Sequence, residues 1–308
     1  MSELKTIKTP KPNNYLYFWV GLIALMLNKA RHYIRGYRNP RPFPIADIKR
    51  ATEYDFSVVN QWLQVLEDYT RDKANLTGKT ILELGPGADL GIGLILLARG
   101  AKKYNAIDVN NLVDCVPERF YDEFFDYLRL SGEINKDIIK DLHTQLKLTQ
   151  AGKNDRLNYI CRKDFDITIF EKDAIDLVFS QAAFEHFDNI GMTFSQLGKV
   201  VKSGGILVSE IDLNTHTRWL CNVDPLNIYR YRESIYNFFR FRGSPNRHRP
   251  FEFKQIFEKY GWDDIRIVPL TKVDNNYLSK VKNYLAPRFR HESNQIEYLT
   301  IMICARKI

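Results

Sequence analysis

The run Thr80–Leu84 (TILEL) passes directly into Gly85-Pro86-Gly87 and then into an apolar stretch, residues 90–98, that Gly100 closes. A short apolar strand, a glycine turn and an apolar helix in immediate succession leave few folds open. The helix carries the chain back along the strand, so the next strand is expected to lie parallel to the first. The same alternation recurs downstream. Residues 103–109, 157–161, 174–180 and 206–211 read as further strands, with helices at 55–70 and around 192–201. Residues 264–268 and 298–305 read as two more strands, while 115–150 are charged and helical with no strand among them. The expectation is an α/β chain with a Rossmann-like, doubly wound, seven-stranded sheet.

The glycine turn has chemistry as well as shape. Gly85 and Gly87 let backbone approach a ligand closely, and the helix beyond offers unpaired N–H groups. Glu83 precedes the turn, and Asp108 ends the next strand 21 residues after Gly87. An acid there can accept from both hydroxyls of a ribose. A nicotinamide cofactor fits less well. Its G-x-G-x-x-G/A fingerprint needs a small residue where this chain has Leu90, and Glu83 and Asp89 on either side of the turn would repel a diphosphate. A cationic nucleoside such as S-adenosylmethionine suits the charges better.

Glu83-Leu84-Gly85-Pro86-Gly87 resembles motif I of class I S-adenosylmethionine-dependent methyltransferases, and Asp108 resembles that family's ribose-binding acid. The likeness continues through Asp164-Phe165, where the family has an acid–apolar pair near the adenine. It goes on through the strand Ile175-Asp176-Leu177-Val178-Phe179-Ser180 and the following Phe184-Glu185-His186-Phe187. Lys202-Ser203-Gly204-Gly205 resembles the family's turn into its fifth strand. The resemblance is strongest to the type 11 small-molecule group. It implies an antiparallel last strand, S-adenosylmethionine as cofactor, and Glu83, Gly85, Gly87, Asp108, Asp164, Phe165 and Gln181 as its contacts. Asp224-Pro225-Leu226-Asn227 and Asn246-Arg247 are similar to segments of bacterial surface-polysaccharide enzymes. The N-P-P-Y loop of base methyltransferases is replaced by Ser180-Gln181-Ala182-Ala183, and the Pro-Cys nucleophile of cytosine-C5 enzymes is absent.

On the acceptor side, His186 and His216 are the candidate catalytic bases, each weighed against a plain structural histidine. The stretch of about 212–255 is dense in arginine and aromatics. Asn246, Arg247 and Arg249 are its candidate anion contacts, for a phosphorylated or sugar-type acceptor or for an RNA strand; arginines paired within the fold are the competing reading. No metal is expected, since the four cysteines stand 46, 60 and 83 residues apart. The reading is methyl transfer to O or N of a small or glycan-related acceptor. An RNA methyltransferase and a non-catalytic cofactor-binding scaffold at a membrane are the alternatives.

Charge divides the chain into an arm, residues 1–50, and a methyltransferase domain, 51–308. The arm holds ten of the 45 Lys and Arg and two of the 37 Asp and Glu, so the whole net charge of +8 belongs to it. A nucleic-acid partner is therefore disfavoured for the balanced body. Residues 15–27 are apolar or aromatic almost throughout, about 20 Å of helix, too short for a bilayer core of about 30 Å. No cleavage site for a signal peptide follows. With basic residues on both sides, residues 15–41 suit peripheral contact with an anionic membrane surface or packing on protein, and Pro40, Pro42 and Pro44 suit a stiff linker. The expected location is the cytoplasm, with association to the inner membrane surface.

Overall fold

The computed structural model describes residues 4–36, 43–130 and 134–308. Among these residues the strands are β1 (Lys5–Ile7), β2 (Thr80–Leu84), β3 (Lys103–Asp108), β4 (Leu157–Cys161), β5 (Ile175–Gln181), β6 (Val201–Asp212), β7 (Trp262–Val273) and β8 (Tyr298–Lys307). The helices are α1 (Asn14–Arg35), α2 (Ile48–Thr70), α3 (Gly91–Ala98), α4 (Arg119–Leu130), α5 (Lys136–Gln150), α6 (Ile190–Val200), α7 (Arg218–Cys221), α8 (Glu233–Phe239), α9 (Pro250–Lys259) and α10 (Asn275–Val281).

The sheet order is β1-β7-β8-β6-β5-β2-β3-β4. Strands β2 to β5 pair in parallel, as the alternation of strand and helix requires. β8 runs antiparallel to its neighbours, so that Leu213 N–H donates to the Leu299 carbonyl while Arg306 reaches back to Gly204. The count of seven is corrected to eight. β7 extends to Val273, five residues past the expected end, and offers an edge on which Lys5, Thr6 and Ile7 pair with Thr271, Lys272 and Val273. Pro40 and Pro42 of the expected linker, and residues 37–41 of the expected membrane contact, lie outside the described residues.

Two compact units share the chain, and β6 and β8 run through both. One comprises the described residues of 43–181 with Ser195–Ser209 and Cys304–Ile308. Its core is β2 to β5 with α2 and α3. The α3 segment GIGLILLA is apolar on every side and is buried along Gly91–Leu97, as a helix without a polar face must be. Gly93 makes room for the Tyr104 ring, which a β-carbon there would meet at 2.5 Å. Trp62 of α2 lies flat on Phe179 of β5 at 4.8 Å between ring centres.

The other unit comprises the described residues up to Gly36 with Ala182–Phe194 and Glu210–Ile303. Its core gathers Leu226, Tyr229, Tyr231, Tyr277, Phe289 and Leu299, and α1 packs on it through Phe18, Leu22 and Leu25. Gly21 lies on the same face and has no room for a side chain, since a β-carbon would stand 2.0 Å from the Asn227 side chain. Asn227 and Tyr231 there donate to the carbonyls of Tyr17 and Phe18. The opposite face of α1 leaves Leu16, Trp19, Ile23 and Leu27 exposed. No helix among the described residues is long and apolar enough to cross a membrane.

Candidate functional site

The carboxyl ends of β2, β3, β4 and β5 bring the expected cofactor residues to one edge of the parallel strands. The register of Leu84 with Ile107 sets Gly85 beside the end of β3, and the Gly85 N–H donates to the Ile107 carbonyl at 2.9 Å. Gly85 and Gly87 both take left-handed backbone, φ 72° and 80°, which a β-carbon would strain. The Asn110 N–H donates to the Asp108 carboxylate at 2.9 Å, and the Gly87 and Val109 N–H groups lie near enough to favour its charge. Burial raises that carboxyl above its ordinary value, and the three N–H groups oppose the rise. A carboxylate offers about four acceptor positions, so Asp108 keeps capacity for a ribose hydroxyl.

The remaining members of this set differ in role. Glu83 is buried and accepts from the Tyr104 hydroxyl at 2.5 Å, which ties β2 to β3. Asp89 accepts from the Gly91 N–H at 2.7 Å and so fixes the start of α3. Asp164 is exposed and held by the Arg162 guanidinium at 2.9 and 2.6 Å, which keeps its carboxyl at about 2. Phe165 beside it adopts left-handed backbone, φ 51°, a conformation that bulky residues rarely hold without a local cause. Gln181 at the end of β5 spends its carbonyl on the Trp62 indole N–H, 3.0 Å away.

Four residues beyond Gln181 stands a second group, which belongs to the other unit. Phe184–His186 forms a single helical turn. His186 Nδ1 lies 2.7 Å from the Gly243 carbonyl, and His216 Nδ1 lies 2.8 Å from the Asn214 carbonyl. A carbonyl can only accept, so both Nδ1 atoms carry a proton; Nε2 then presents a lone pair on each ring in its neutral form, the form that burial favours for His186. The rings meet edge to face at 4.7 Å. Glu185 is 2% exposed, neither carboxylate oxygen has a hydrogen-bond partner, and His216 Nε2 is 3.9 Å away. Burial raises the Glu185 carboxyl, burial lowers His186, and the nearby carboxylates of Glu185 and Asp212 outweigh burial to raise His216. Both expected histidines are therefore brought together. Glu185 was not singled out in the sequence, although an acid directly before a candidate histidine and after the apolar Ala182-Ala183-Phe184 was the available signal.

The expected anion contacts do other work. Arg247 donates to the carbonyls of Ile228 and Tyr231 and to Glu233, at 2.6 to 3.0 Å. Arg249 is fully buried and donates to the carbonyls of Asn294, Gln295 and Tyr298 and to the Tyr229 hydroxyl. These guanidiniums hold loops of their own unit rather than facing an anion. Asn246 donates its amide to the carbonyls of Phe184 and Phe187 and its backbone N–H to the Glu185 carbonyl. It thus clamps the turn that carries Glu185 and His186.

A family model described as a methyltransferase domain matches residues 52–267. No curated protein matches the sequence. Among solved structures, phosphoethanolamine N-methyltransferase 2 of Haemonchus contortus with S-adenosyl-L-methionine is similar at 17% identity and TM-score 0.46; the alignment covers 87% of this chain and 58% of that one. The CurJ carbon methyltransferase is similar at 15% identity and TM-score 0.46, covering 96% and 67%. A geranyl diphosphate methyltransferase with S-adenosylmethionine is similar at 12% identity and TM-score 0.41, covering 87% and 93%. The chain thus spans little more than half the length of the Haemonchus protein. With motif, fold and family model in agreement over residues 52–267, the chain belongs to the class I, S-adenosylmethionine-dependent methyltransferase-domain family.

Proposed function

We propose that the protein transfers a methyl group to an oxygen or nitrogen of a small or glycan-related acceptor. The observation that carries this reading is Asp108 beside the left-handed turn of Gly85 and Gly87 at the joined ends of β2 and β3. An acid with spare acceptor capacity beside a left-handed glycine turn fits the ribose and backbone contacts of the family's cofactor. When bound, S-adenosylmethionine supplies an electrophilic methyl carbon on a sulfonium. Asp108 would hold the ribose, the turn from Gly85 to Gly87 would admit the cofactor to backbone contact, and Asp164, Phe165 and Gln181 would line its other side. Glu185, His186 and His216 are the proposed acceptor-side groups. Arg247 and Arg249 are spent within the fold, which leaves an RNA strand with fewer contacts. The exposed apolar face of α1, between basic residues, is proposed to rest on an anionic membrane surface.

Incubation with methyl-labelled cofactor and fractionated extract tests the reading. Label is expected in the metabolite or glycan fraction. Asp108→Ala is expected to abolish it and to weaken cofactor binding by calorimetry at least about tenfold, the loss of one hydrogen bond to a charged group. Label in RNA would overturn the choice of acceptor. Cofactor binding without label in any fraction would leave the scaffold reading in its place.

A further inference from the structure

We propose that Glu185, His186 and His216 form a binding site for a divalent transition-metal ion such as Mn2+, Co2+ or Zn2+, with coordination positions left for a hydroxyl oxygen. One donor atom from each residue lies within 4.8 Å of the other two. Bonds of about 2.1 Å place donors about 3 to 4 Å apart, so the three side chains need to close by about an ångström. They face each other with Nδ1 tied to backbone, so that a metal ion would take the place of any proton at Nε2. Both histidines give their Nδ1–H to backbone carbonyls, those of Gly243 and Asn214, which leaves both Nε2 atoms for a ligand. Such a bond at the other ring nitrogen is what orients histidines that bind metal.

Glu185 supplies the independent observation. It is 2% exposed, and both its oxygens are buried without a hydrogen-bond partner. The same unit shows what a buried carboxylate ordinarily receives. Asp224 accepts from two nitrogens of Arg230, from the Asn227 amide and from the Tyr277 hydroxyl. A carboxylate denied such donors is expensive to bury unless a cation accompanies it. His216 Nε2, 3.9 Å from one oxygen, is beyond hydrogen-bond reach and leaves the other oxygen bare. The turn is also held ready, since Asn246 bonds to the carbonyls of Phe184, Glu185 and Phe187.

Two imidazoles and one carboxylate select borderline ions over Mg2+ and Ca2+, which prefer all-oxygen shells. The consequence for chemistry rests on the methyl-transfer reading. An acceptor hydroxyl bound to the ion gives up its proton to water more readily. Its oxygen then forms a bond to the methyl carbon as the carbon–sulfur bond breaks, and the sulfur keeps the electron pair. The acceptor class is thereby narrowed to hydroxyl compounds.

The test uses full-length protein without a histidine tag, freed of metal by a chelator and titrated with Co2+. Visible absorption bands are expected to saturate at one equivalent and to disappear when Zn2+ is added. Glu185→Gln and His216→Asn are each expected to weaken binding at least about tenfold, and His291→Gln, on an exposed turn, to leave it unchanged. His216 is partly exposed, so its replacement keeps the question decidable if the Glu185 variant does not fold; circular dichroism checks both. No saturable bands in folded protein, or equal affinity in the variants, overturns the site. Methyl transfer that is lost on chelation and restored by Mn2+ is the expected activity. Bands without any methyl transfer would count against the methyl-transfer reading and still support the site.

Discussion

Two carboxylates show how differently a paired charge can be used. Asp224 and Arg230 are both fully buried and paired at 2.8 Å, and the Asp224 oxygens are saturated by four donors. Breaking a buried pair leaves one charge uncompensated, at about 3 to 5 kcal/mol. Asp224→Ala is therefore expected to lower unfolding stability by about that amount in denaturant titrations, while replacing both partners with apolar residues of similar volume should recover most of it. A loss below about 1 kcal/mol for the single variant would show that the pair holds nothing. Asp176 offers a pH-dependent case. Burial acts to raise its carboxyl, but the Lys202 ammonium at 2.8 Å and the Thr80 N–H together lower it. A folded-state value below the unfolded one stabilises the protein fully above about pH 4. The contribution disappears as pH falls through the lower folded value. Asp176→Asn should accordingly flatten the acid limb of a stability–pH curve and leave the shape above neutral pH alone; an unchanged acid limb would contradict the assignment. Such pairings were not legible in the sequence. The sequence left the arginines open between anion contacts and partners within the fold, and only the structure shows the carbonyls that Arg247 and Arg249 meet and that offset the cost of burying a cation.

At the scale of elements, α1 presents two faces with opposite fates. Phe18, Gly21, Leu22 and Leu25 are turned to protein, and Leu16, Trp19, Ile23 and Leu27 to solvent. An exposed apolar stripe beside Lys8, Lys11, Arg31 and Arg35 suits an anionic bilayer surface. The protein is expected to sediment with vesicles containing phosphatidylglycerol, less so in high salt. Trp19→Glu with Ile23→Glu should release it without unfolding. Retention of the double variant on vesicles, or absence of wild-type binding, would refute the membrane contact, and a shift from dimer to monomer would assign the face to a second copy. The apolar run itself was plain in the sequence; its division into faces was not, since Gly21 declares itself as a contact only against Asn227. Strands show the same limit. β4 (Leu157–Cys161) falls where its apolar pattern places it, whereas β1 has three residues and no pattern apart from its partner β7. β6 starts at Val201, five residues before the expected strand, because Lys202 to Gly205 continue the ladder that their polarity disguised. The cofactor edge was the most legible part of all, because left-handed glycines and a strand-end acid are local demands that a sequence must meet locally.

For the molecule as a whole, the chain order and the division into units do not coincide. The described residues up to Gly36 belong with Glu210–Ile303, although they hold most of the excess charge and read as a detachable arm. Their removal would strip β1 from the edge of β7 and uncover the cluster on which Phe18, Leu22 and Leu25 pack. Three partly buried side chains at about 1 to 2 kcal/mol each, with the hydrogen bonds of Asn227 and Tyr231 at about 1 kcal/mol each, amount to about 5 kcal/mol or more. That is comparable with the whole stability of an ordinary domain, about 5 to 15 kcal/mol. Deletion of residues 1–36 is therefore expected to act on one unit before the other. Amide hydrogen exchange should show protection falling in residues 226–299 and persisting in β2, β3 and β4. Because the cofactor residues Gly85, Gly87 and Asp108 belong to the persisting unit, calorimetry should still detect S-adenosylmethionine binding in the truncated protein while methyl transfer is lost. β6 and β8 run through both units, so the outcome measures whether the units lose protection separately or together. Equal loss of protection in both units, with loss of cofactor binding, would mean that the two strands make the chain a single cooperative body.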